Sequence, residues 1–554
     1  MLHTPHDEQR LHYQIYDDHA EVVYYSGSDT EVVIPPTFEG KPVTKISGFS
    51  LDRLPDDFYM GVFFDRPVVS VSLPKTVTEI GDGAFRGCES LAVVKLPKHL
   101  ARIGKEAFFC CRSLTEIELP RSLTEIGDHA FYECDSLLEI RLPRGDLKIG
   151  EAAFCSCKSL VRVQIGEGVT ALPTRAFAHC RALTDVHLPN SLTVLGDSAF
   201  YGCRGLTSLH LPQGLTEIAE CAFSTCVALE EIAVPATVTE IGVGAFEYCF
   251  SLAAVHFRGD AACIHRLAFR GCRSLAAIRI PAATDPICEA TFKGCTGLSA
   301  ITLPDSTTAV LEEAFWGCTS LAALHLPDGV QYIARSAFEG CAALTRLCLP
   351  TGLKRIDAKA FKGCASLAAL TLPEGLNEIG HEAFANCVAL RALRLPDSLT
   401  DLGDKTFRNC TALASASIPC GIARLGNVTF RGCTALTEVE LAEGIVRIGD
   451  AAFRGCTALR AIRLPSTVTT VGTAAFRDCT ALTEIRIPTA TTAIRQDAFT
   501  ACRGLTRAVF EAPRGWYSGQ TPLAEAELSA PAIAAALLTS EIFTLPLKRT
   551  ESER

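Results

Sequence analysis

The stretch Leu114-Thr115-Glu116-Ile117-Glu118-Leu119-Pro120-Arg121-Ser122-Leu123-Thr124-Glu125-Ile126-Gly127-Asp128-His129-Ala130-Phe131-Tyr132-Glu133-Cys134 decides the fold of this chain. Near its start, Ile117 and Leu119 alternate with acidic residues, which is the pattern of a strand with one buried face. Pro120 lacks a backbone N–H donor and therefore ends that strand. A second apolar group follows and ends at Phe131. The segment predicts one closed loop of chain with its apolar side chains turned inward.

The same pattern recurs every 23 residues without an insertion or deletion. A Cys stands three residues after each repeat Phe, and a Leu stands three residues after each Cys. The nineteen repeat phenylalanines are Phe85, Phe108, Phe131, Phe154, Phe177, Phe200, Phe223, Phe246, Phe269, Phe292, Phe315, Phe338, Phe361, Phe384, Phe407, Phe430, Phe453, Phe476 and Phe499. A unit of this length is too short to bury a core alone, so the copies must stack on one another.

Two small-residue positions accompany the repeat. Ala precedes the Phe in most copies, where we expect that only a small side chain clears the neighbouring coil. Gly usually follows the Ile of the second apolar group, as at Gly81, Gly104, Gly127 and Gly150, and there we expect a bend with positive φ.

The pattern Leu-x-x-Ile-x-Leu-Pro-x-x-Leu-x-x-Ile-Gly-x-x-Ala-Phe-x-x-Cys of residues 114–134 closely resembles the BspA-like class of bacterial leucine-rich repeats, and the resemblance covers residues 74–510. We therefore predict an α/β or mainly β repeat solenoid, a right-handed curved superhelix with a parallel sheet on its concave face and caps at both ends. The resemblance further implies a non-enzymatic surface that binds proteins, often as an adhesin on the cell surface.

Three regions follow from where the repeat begins and ends. Residues 1–73 are predicted to form an N-terminal β-rich capping module with an irregular first coil at 49–67, and residues 74–510 to form the nineteen repeats. Residues 511–554 are predicted to form a C-terminal cap with a short helix, with Trp516 over the last coil and a frayed tail from Lys548. The alternative for the helix is a dimerisation role.

The chain has 26 cysteines, and nineteen of them are the repeat Cys. We predict buried thiols that behave as small hydrophobic side chains, because cysteines that staple a secreted domain normally replace a core and this chain has a large one. Disulfides of a secreted protein are the alternative. Cys110-Cys111 and Cys155-Ser156-Cys157 lack the spaced pairs of a zinc site, so no metal site is predicted.

The candidate interaction site consists of strand positions five and seven residues after the repeat Cys, which should face outward. An acidic patch at Glu116, Glu118 and Glu139 precedes a strip of small residues edged by His and Arg. The candidate residues are His187, His210, Ala254, His256, Ala277, Arg279, Ala300, Thr302, Ala323 and His325. A docking groove is one interpretation, in which Ala admits a partner's backbone while His and Arg pair with acids. The alternative is a set of solvated positions under little constraint.

Charge and motif content narrow the function. The chain has 52 basic and 62 acidic residues, a net charge of −10, which predicts neither a nucleic-acid binder nor a protein that binds anionic membranes. Phosphate-binding loops, zinc-protease motifs and nucleophile elbows are missing from the sequence, so we predict no catalytic residue and no cofactor. We expect an interaction scaffold for an unidentified protein or peptide, acting as a monomer without membrane insertion.

The ends of the sequence suggest a location. Residues 1–10 are polar, and the apolar run Ala530–Leu538 is about half the length of a membrane helix. Together with the many thiols, these features favour the reducing cytoplasm. Export to the cell surface by a route not visible in the sequence is the alternative.

Overall fold

The structure is a computed structural model that describes residues 2–3, 10–50, 59–540 and 545–550. The chain divides into two compact units, Met1–Leu275 and Ala276–Arg554, called here unit 1 and unit 2. In each unit, short parallel strands from successive repeats form two series of hydrogen-bonded sheets. The first ladder contains the strands that begin five residues after each repeat Cys. The second ladder contains the strands that begin six residues before each repeat Phe.

Unit 1 holds both ladders and an N-terminal hairpin. Its first-ladder strands are Glu31–Val33, Ser70–Ser72, Val93–Lys95, Glu139–Arg141, Arg162–Gln164, Asp185–His187, Ser208–Leu209, Glu231–Val234 and Ala254–Phe257. Its second-ladder sheets contain Leu2–His3, Leu11–Ile15, Ala20–Tyr25, Thr37–Phe38, Lys41–Ile46, Glu79–Ile80, Arg102–Ile103, Glu125–Ile126, Lys148–Ile149, Ala171–Leu172, Val194–Leu195, Glu217–Ile218, Glu240–Ile241 and Cys263–Ile264. The strands Phe49–Ser50 and Tyr59–Met60 pair separately.

Unit 2 repeats the arrangement and adds two helices. Its first-ladder strands are Ala277–Arg279, Ala300–Thr302, Ala323–His325, Arg346–Cys348, Ala392–Arg394, Ser415–Ile418, Glu438–Leu441, Ala461–Ile462, Glu484–Ile487 and Arg507–Phe510. Its second-ladder sheets contain Ala309–Val310, Tyr332–Ile333, Arg355–Ile356, Glu378–Ile379, Asp401–Leu402, Arg424–Leu425, Arg447–Ile448, Thr470–Val471, Ala493–Ile494, Trp516–Ser518, Thr521–Pro522 and Leu547–Arg549. The helices are Glu525–Ser529 and Pro531–Thr539.

A third set of hydrogen bonds runs through the turn around each repeat Phe. The N–H groups of Glu106, Phe108 and Cys110, for example, donate to carbonyls of the next coil at 2.7–2.8 Å. Alternate amides can point the same way because the residues two before and two after the Phe have positive φ in all nineteen repeats. The repeat therefore has three lines of coil-to-coil hydrogen bonds, where the sequence predicted only strand pairing.

The repeat Phe rings form a continuous stack at the centre of each unit. Neighbouring ring centroids lie 5.0–5.7 Å apart from Phe63 to Phe269 in unit 1. They lie 5.1–5.7 Å apart from Phe292 to Phe499 in unit 2. The stack in unit 1 begins at Phe63, so the irregular first coil contributes a ring to the core; its residues 51–58 lie outside the described part of the chain.

The nineteen repeat thiols are buried, as predicted, and none is in a disulfide. Their role is more specific than that of a small hydrophobic side chain. In both units the Sγ donates to the carbonyl oxygen of the Phe in the preceding repeat, as from Cys111 to Phe85 at 3.0 Å and from Cys341 to Phe315 at 3.2 Å. The thiol thus gives a buried carbonyl a second hydrogen bond and ties adjacent coils together.

The prediction of positive φ at Gly81, Gly104, Gly127 and Gly150 is wrong, because the positive-φ glycines lie elsewhere. These positions need glycine for another reason. A Cβ at Gly127 would lie 2.5 Å from the backbone nitrogen of Lys105 and 2.6 Å from the carbonyl carbon of Gly104. Glycine here allows the backbones of adjacent coils to come close.

The C-terminal segment closes against the last repeats of unit 2. Strand Leu547–Arg549 pairs antiparallel with Ala493–Ile494, and helix Pro531–Thr539 packs on Arg507–Phe510. The buried indole of Trp516 meets the ring of Phe510 edge-on at 5.3 Å. The predicted fraying from Lys548 is wrong for Lys548 and Arg549, which are paired; residues 551–554 lie outside the described part.

The predicted repeat solenoid built on parallel strands is confirmed. The boundaries at 73/74 and 510/511 stay predictions. Within the described residues, every helix is too short or too polar to cross a membrane.

Candidate functional site

The first-ladder strands of each unit point one buried residue inward and the residues on either side of it outward. In Ala277–Arg279, for example, Ile278 is buried while Ala277 and Arg279 are exposed. The parallel register aligns equivalent residues of adjacent repeats, so the outward side chains form two columns on each unit. Surface chemistry on this face is therefore set by which side chains the sequence places in these columns.

In unit 1 the predicted acidic patch is partly neutralised. Arg162 pairs with Asp185 at 2.8 Å and with Glu139 at 3.4 Å, since its strand lies between theirs. The hydrogen bond from Arg141 is the main cause that lowers the pKa of Glu139 below its ordinary value. Glu116 and Glu118 remain exposed. The face presents a chain of ion pairs across three strands, where the sequence suggested one block of negative charge.

The four candidate residues in unit 1 lie on this face. His187 is exposed, and its Nδ1 lies 3.2 Å from the carboxylate of Asp185, which also pairs with Arg162. His256 is exposed, with its Nε2 3.8 Å from Glu231. His210 is exposed and Ala254 is half-buried. The structure therefore presents three histidines to solvent beside a small residue.

In unit 2 the six candidate residues all belong to outward positions. Ala277 lies opposite Ala300 and Arg279 lies opposite Thr302 on paired strands. Ala323 and His325 flank the buried Leu324 on the next strand of the ladder. Arg279 and Thr302 also line an open depression of about 400 Å³ that continues to Asp305 and Ser306. The structure thus brings small and polar candidate residues together along one surface of unit 2.

Sequence reasoning missed a second depression on the same ladder of unit 2. Ser415 and Ser417 form its floor, between the strands that carry Arg394 and Glu440, and its volume is about 540 Å³. The signal was present, because Ser415 and Ser417 place small residues in both columns of one repeat. Arg394 on one side and Glu440 on the other give the two sides of this depression opposite charges.

A cavity of about 630 Å³ lies on another face of unit 1. Phe109, Tyr132 and Tyr201 line it beside the smaller Cys155 and Ala178, and the rings of Phe109 and Tyr132 stack at 5.0 Å. These residues directly follow the repeat Phe, and sequence reasoning missed the aromatic side chains at this position. Aromatic side chains are enriched among residues that anchor protein interfaces.

Potential metal ligands also converge away from the first ladder. Among the described residues, one group of three His, Cys or acidic side chains has its donor atoms within 4.8 Å of one another, and it consists of Glu240, Cys263 and His265. Sequence reasoning missed these three side chains. The available signal was that Cys263 and His265 replace the residues usual at their repeat positions.

The fold and its surfaces define a leucine-rich-repeat protein whose core is formed by stacked repeats. The family model for the BspA type leucine rich repeat region matches residues 57–184, 171–299, 285–414 and 403–513. The chain belongs to this family.

A solved structure with a TM-score above 0.5 supports the fold. A leucine-rich repeat protein from Bacteroides ovatus is 25% identical, with a TM-score of 0.53 over 79% of this chain and 99% of that chain. The T. pallidum leucine rich repeat protein is 34% identical, covering 36% of this chain and 88% of that one, with a TM-score of 0.32. A leucine rich cell surface protein from Faecalibacterium prausnitzii is 23% identical, covering 87% and 93%, with a TM-score of 0.31. No curated protein sequence matches this chain.

Proposed function

We propose that the chain is a non-enzymatic scaffold that binds a protein or peptide partner through the outward columns of its first ladder. The observation that carries this proposal is the alignment of Ala277 with Ala300 and of Arg279 with Thr302 beside an open depression in unit 2. Small side chains let a partner's backbone approach the strands, while a guanidinium and a hydroxyl offer donors to its polar groups.

The histidine-bearing positions of unit 1 belong to the same proposal. His187, His210 and His256 are exposed on the first ladder, where each can donate to an acidic or carbonyl group of a partner. The ion pairs of Arg162 with Glu139 and Asp185 link side chains of three neighbouring strands on this face. Repeat surfaces of this kind bind by extended contact across several coils.

Affinity capture from native lysate tests this proposal. It compares the wild type with the Ala277→Glu/Ala300→Glu double variant. Two carboxylates in the small-residue strip should block close approach and reduce capture of the wild-type partner at least tenfold, because a buried unpaired charge costs several kcal/mol. Thermal melting should fall by no more than a few degrees, since both positions are exposed and two like charges on paired strands cost at most about 1 kcal/mol.

The matched control is Val388→Glu/Val446→Glu in the same unit. Both valines are exposed, at 40% and 43%, and both lie outside the first ladder. This variant adds the same charge and should capture the partner as the wild type does. Equal capture by the strip variant and the wild type would remove the proposal.

We further propose a cytoplasmic location, supported by the buried, reduced repeat thiols. The alternative is an exported surface protein or adhesin, which the family resemblance implies. Protease treatment of intact cells separates the two, with detection of the chain before and after lysis. Protection until lysis agrees with the cytoplasm, whereas digestion of the chain on intact cells supports the surface alternative.

A further inference from the structure

The last two second-ladder strands of unit 1 place three metal-ligating side chains on one surface. Strands Glu240–Ile241 and Cys263–Ile264 are parallel, with Glu240 directly opposite Cys263. Ile241 and Ile264 are buried, so Glu240 and Cys263 project to the other side of the strands. His265 lies two residues after Cys263 and its Nε2 is 2.5 Å from Glu240 Oε2.

The coil that contains Cys263 and His265 keeps the main core residues of the repeat, although Ala261 stands where most other coils of unit 1 have a buried Leu or Val. Its buried Ile264, Phe269 and Cys272 keep the repeat identities. At the position of Cys263, other coils of unit 1 carry mostly charged residues, and at the position of His265 mostly glycine. The first column holds Glu79, Arg102, Glu125, Lys148, Ala171, Val194, Glu217 and Glu240, and the second holds Gly81, Gly104, Gly127, Gly150, Pro173, Gly196, Ala219 and Gly242.

The histidine is not needed for packing. At the equivalent position one coil earlier, a Cβ on Gly242 would lie 2.6 Å from the carbonyl carbon of Ala219. A large side chain is therefore disfavoured in this column, and the coil must accommodate His265 locally. A thiol and an imidazole introduced together beside a carboxylate form a donor set without a role in the repeat core.

We propose that Glu240, Cys263 and His265 bind one divalent transition-metal ion of the zinc class. Thiolate, imidazole and carboxylate are the protein ligands of Zn²⁺, whereas Mg²⁺ and Ca²⁺ prefer oxygen donors alone. This site is separate from the first ladder and does not depend on the partner binding proposed above.

The geometry requires only side-chain movement. The three donor atoms lie within 4.8 Å of one another, and donors bonded at about 2.0–2.3 Å to a tetrahedral ion lie roughly 3.3–3.8 Å apart, so each donor needs to move only about 1 Å. His265 and Glu240 can turn, since their side chains are 44% and 46% exposed. On binding, Cys263 releases its thiol proton to solvent, and the hydrogen bond between His265 and Glu240 is replaced by bonds to the ion. Three protein ligands leave a fourth position for water.

Titration of the reduced, metal-free full chain with Co²⁺ tests the site. We expect one equivalent to produce a thiolate-to-cobalt charge-transfer band and tetrahedral ligand-field bands, both lost when Zn²⁺ displaces cobalt. Cys263→Ser should abolish the charge-transfer band. Glu240→Gln and His265→Gly should each weaken binding at least about tenfold, because even groups that only hydrogen-bond to metal ligands contribute about 10–100-fold to affinity. His265→Gly restores the residue of the other coils and should not reduce thermal stability.

The matched control is Cys221→Ser, which removes another half-buried thiol of unit 1 and should leave the spectrum unchanged. The wild-type chain gives a second readout that needs no variant. Zn²⁺ should slow alkylation of Cys263 at least tenfold relative to Cys221, measured by peptide mass spectrometry. A charge-transfer band that persists in Cys263→Ser, wild-type affinity in His265→Gly, or equal alkylation of Cys263 with and without Zn²⁺ would each overturn the site.

Discussion

At the scale of single residues, the backbone of this repeat makes demands that its side-chain pattern does not reveal. Two residues per repeat adopt positive φ, two before and two after the Phe. Gly occupies some of these positions, but Glu, Lys, Ala, Leu and Val occupy others. A non-glycine side chain in this region costs about 1–2 kcal/mol, and the coil-to-coil hydrogen bonds of the turn offset it.

Val428, like Thr225, is poorly suited to this conformation, because a β-branched side chain at φ of +62° crowds its own backbone. Val428→Gly should raise the free energy of unfolding by about 0.5–1 kcal/mol, the relief of strain less the entropy of an added glycine. Urea denaturation measures the change. The same substitution at Val388, which has no positive φ, should instead destabilise by about 0.5–1 kcal/mol. Loss of stability at both positions would contradict the strain argument.

The sequence alone predicted which residues fill the core, since a strict period identifies Ile, Phe and Cys positions without any coordinates. It did not predict the left-handed residues, because hydrogen bonds between coils select that conformation and many residue types accept it. Nor did it predict the thiol-to-carbonyl bonds such as Cys111 to Phe85, which join residues of different repeats. For the candidate site, the period predicted that Ala277 and Ala300 would align, but depressions such as that at Ser417 depend on the three-dimensional spacing of neighbouring strands.

At the scale of the element, each coil is stabilised by how closely it approaches the next. The Ala before each repeat Phe is buried, as the small-residue argument required, and Thr291, Thr406 and Thr429 replace it by donating their hydroxyls to carbonyls three residues earlier. The Gly after the second-ladder Ile is needed because a Cβ there would meet the backbone of the adjacent coil, and not because φ is positive. Both small positions set the distance between adjacent coils.

Gly127→Ala tests the close approach. The added methyl group would meet backbone atoms of Gly104 and Lys105, which cannot rotate away, so the two coils must separate and lose packing. We expect a loss of about 1–3 kcal/mol in the free energy of unfolding, as for other overpacked sites, measured by urea denaturation.

The matched control for Gly127 is Gly214→Ala in the same unit. Its Cβ would meet nothing closer than 3.6 Å and its φ is not positive. This substitution should be neutral or stabilise by about 0.4–1 kcal/mol, since alanine restricts the unfolded chain. Equal effects of the two substitutions would show that contact between coils does not explain the glycine.

At the scale of the whole molecule, many of the stacked thiols hold their protons more firmly in the folded chain than in the unfolded chain. Burial raises the pKa of Cys88, Cys226, Cys341, Cys410 and Cys502 from 9.0 to about 12. Burial also raises the pKa of other repeat thiols, such as Cys318 and Cys456, well above 9.0. The folded chain therefore keeps thiols protonated at a pH where the unfolded chain loses their protons.

This difference predicts a steep loss of stability in mild alkali. Below pH 9 both states hold the thiol protons and the contribution to stability is complete; between pH 9 and 12 the unfolded state ionises first, so the free energy of unfolding falls as pH rises. Each such thiol contributes about 1.4 kcal/mol per pH unit to that slope. Urea denaturation of the reduced chain between pH 8 and about 10 measures it.

Removing one thiol shows whether the buried repeat thiols cause the alkaline slope. Cys226→Ala should lower the stability at pH 8, because it loses the hydrogen bond to Phe200, and should make the alkaline slope shallower by about one proton. Cys420→Ala removes a thiol that already contacts solvent in the folded chain and should leave the slope as it is. An alkaline slope that is identical in the wild type and in Cys226→Ala would contradict this explanation. Groups other than the buried thiols would then control unfolding above pH 9, and the thiol protons would not be coupled to the stability of the repeats.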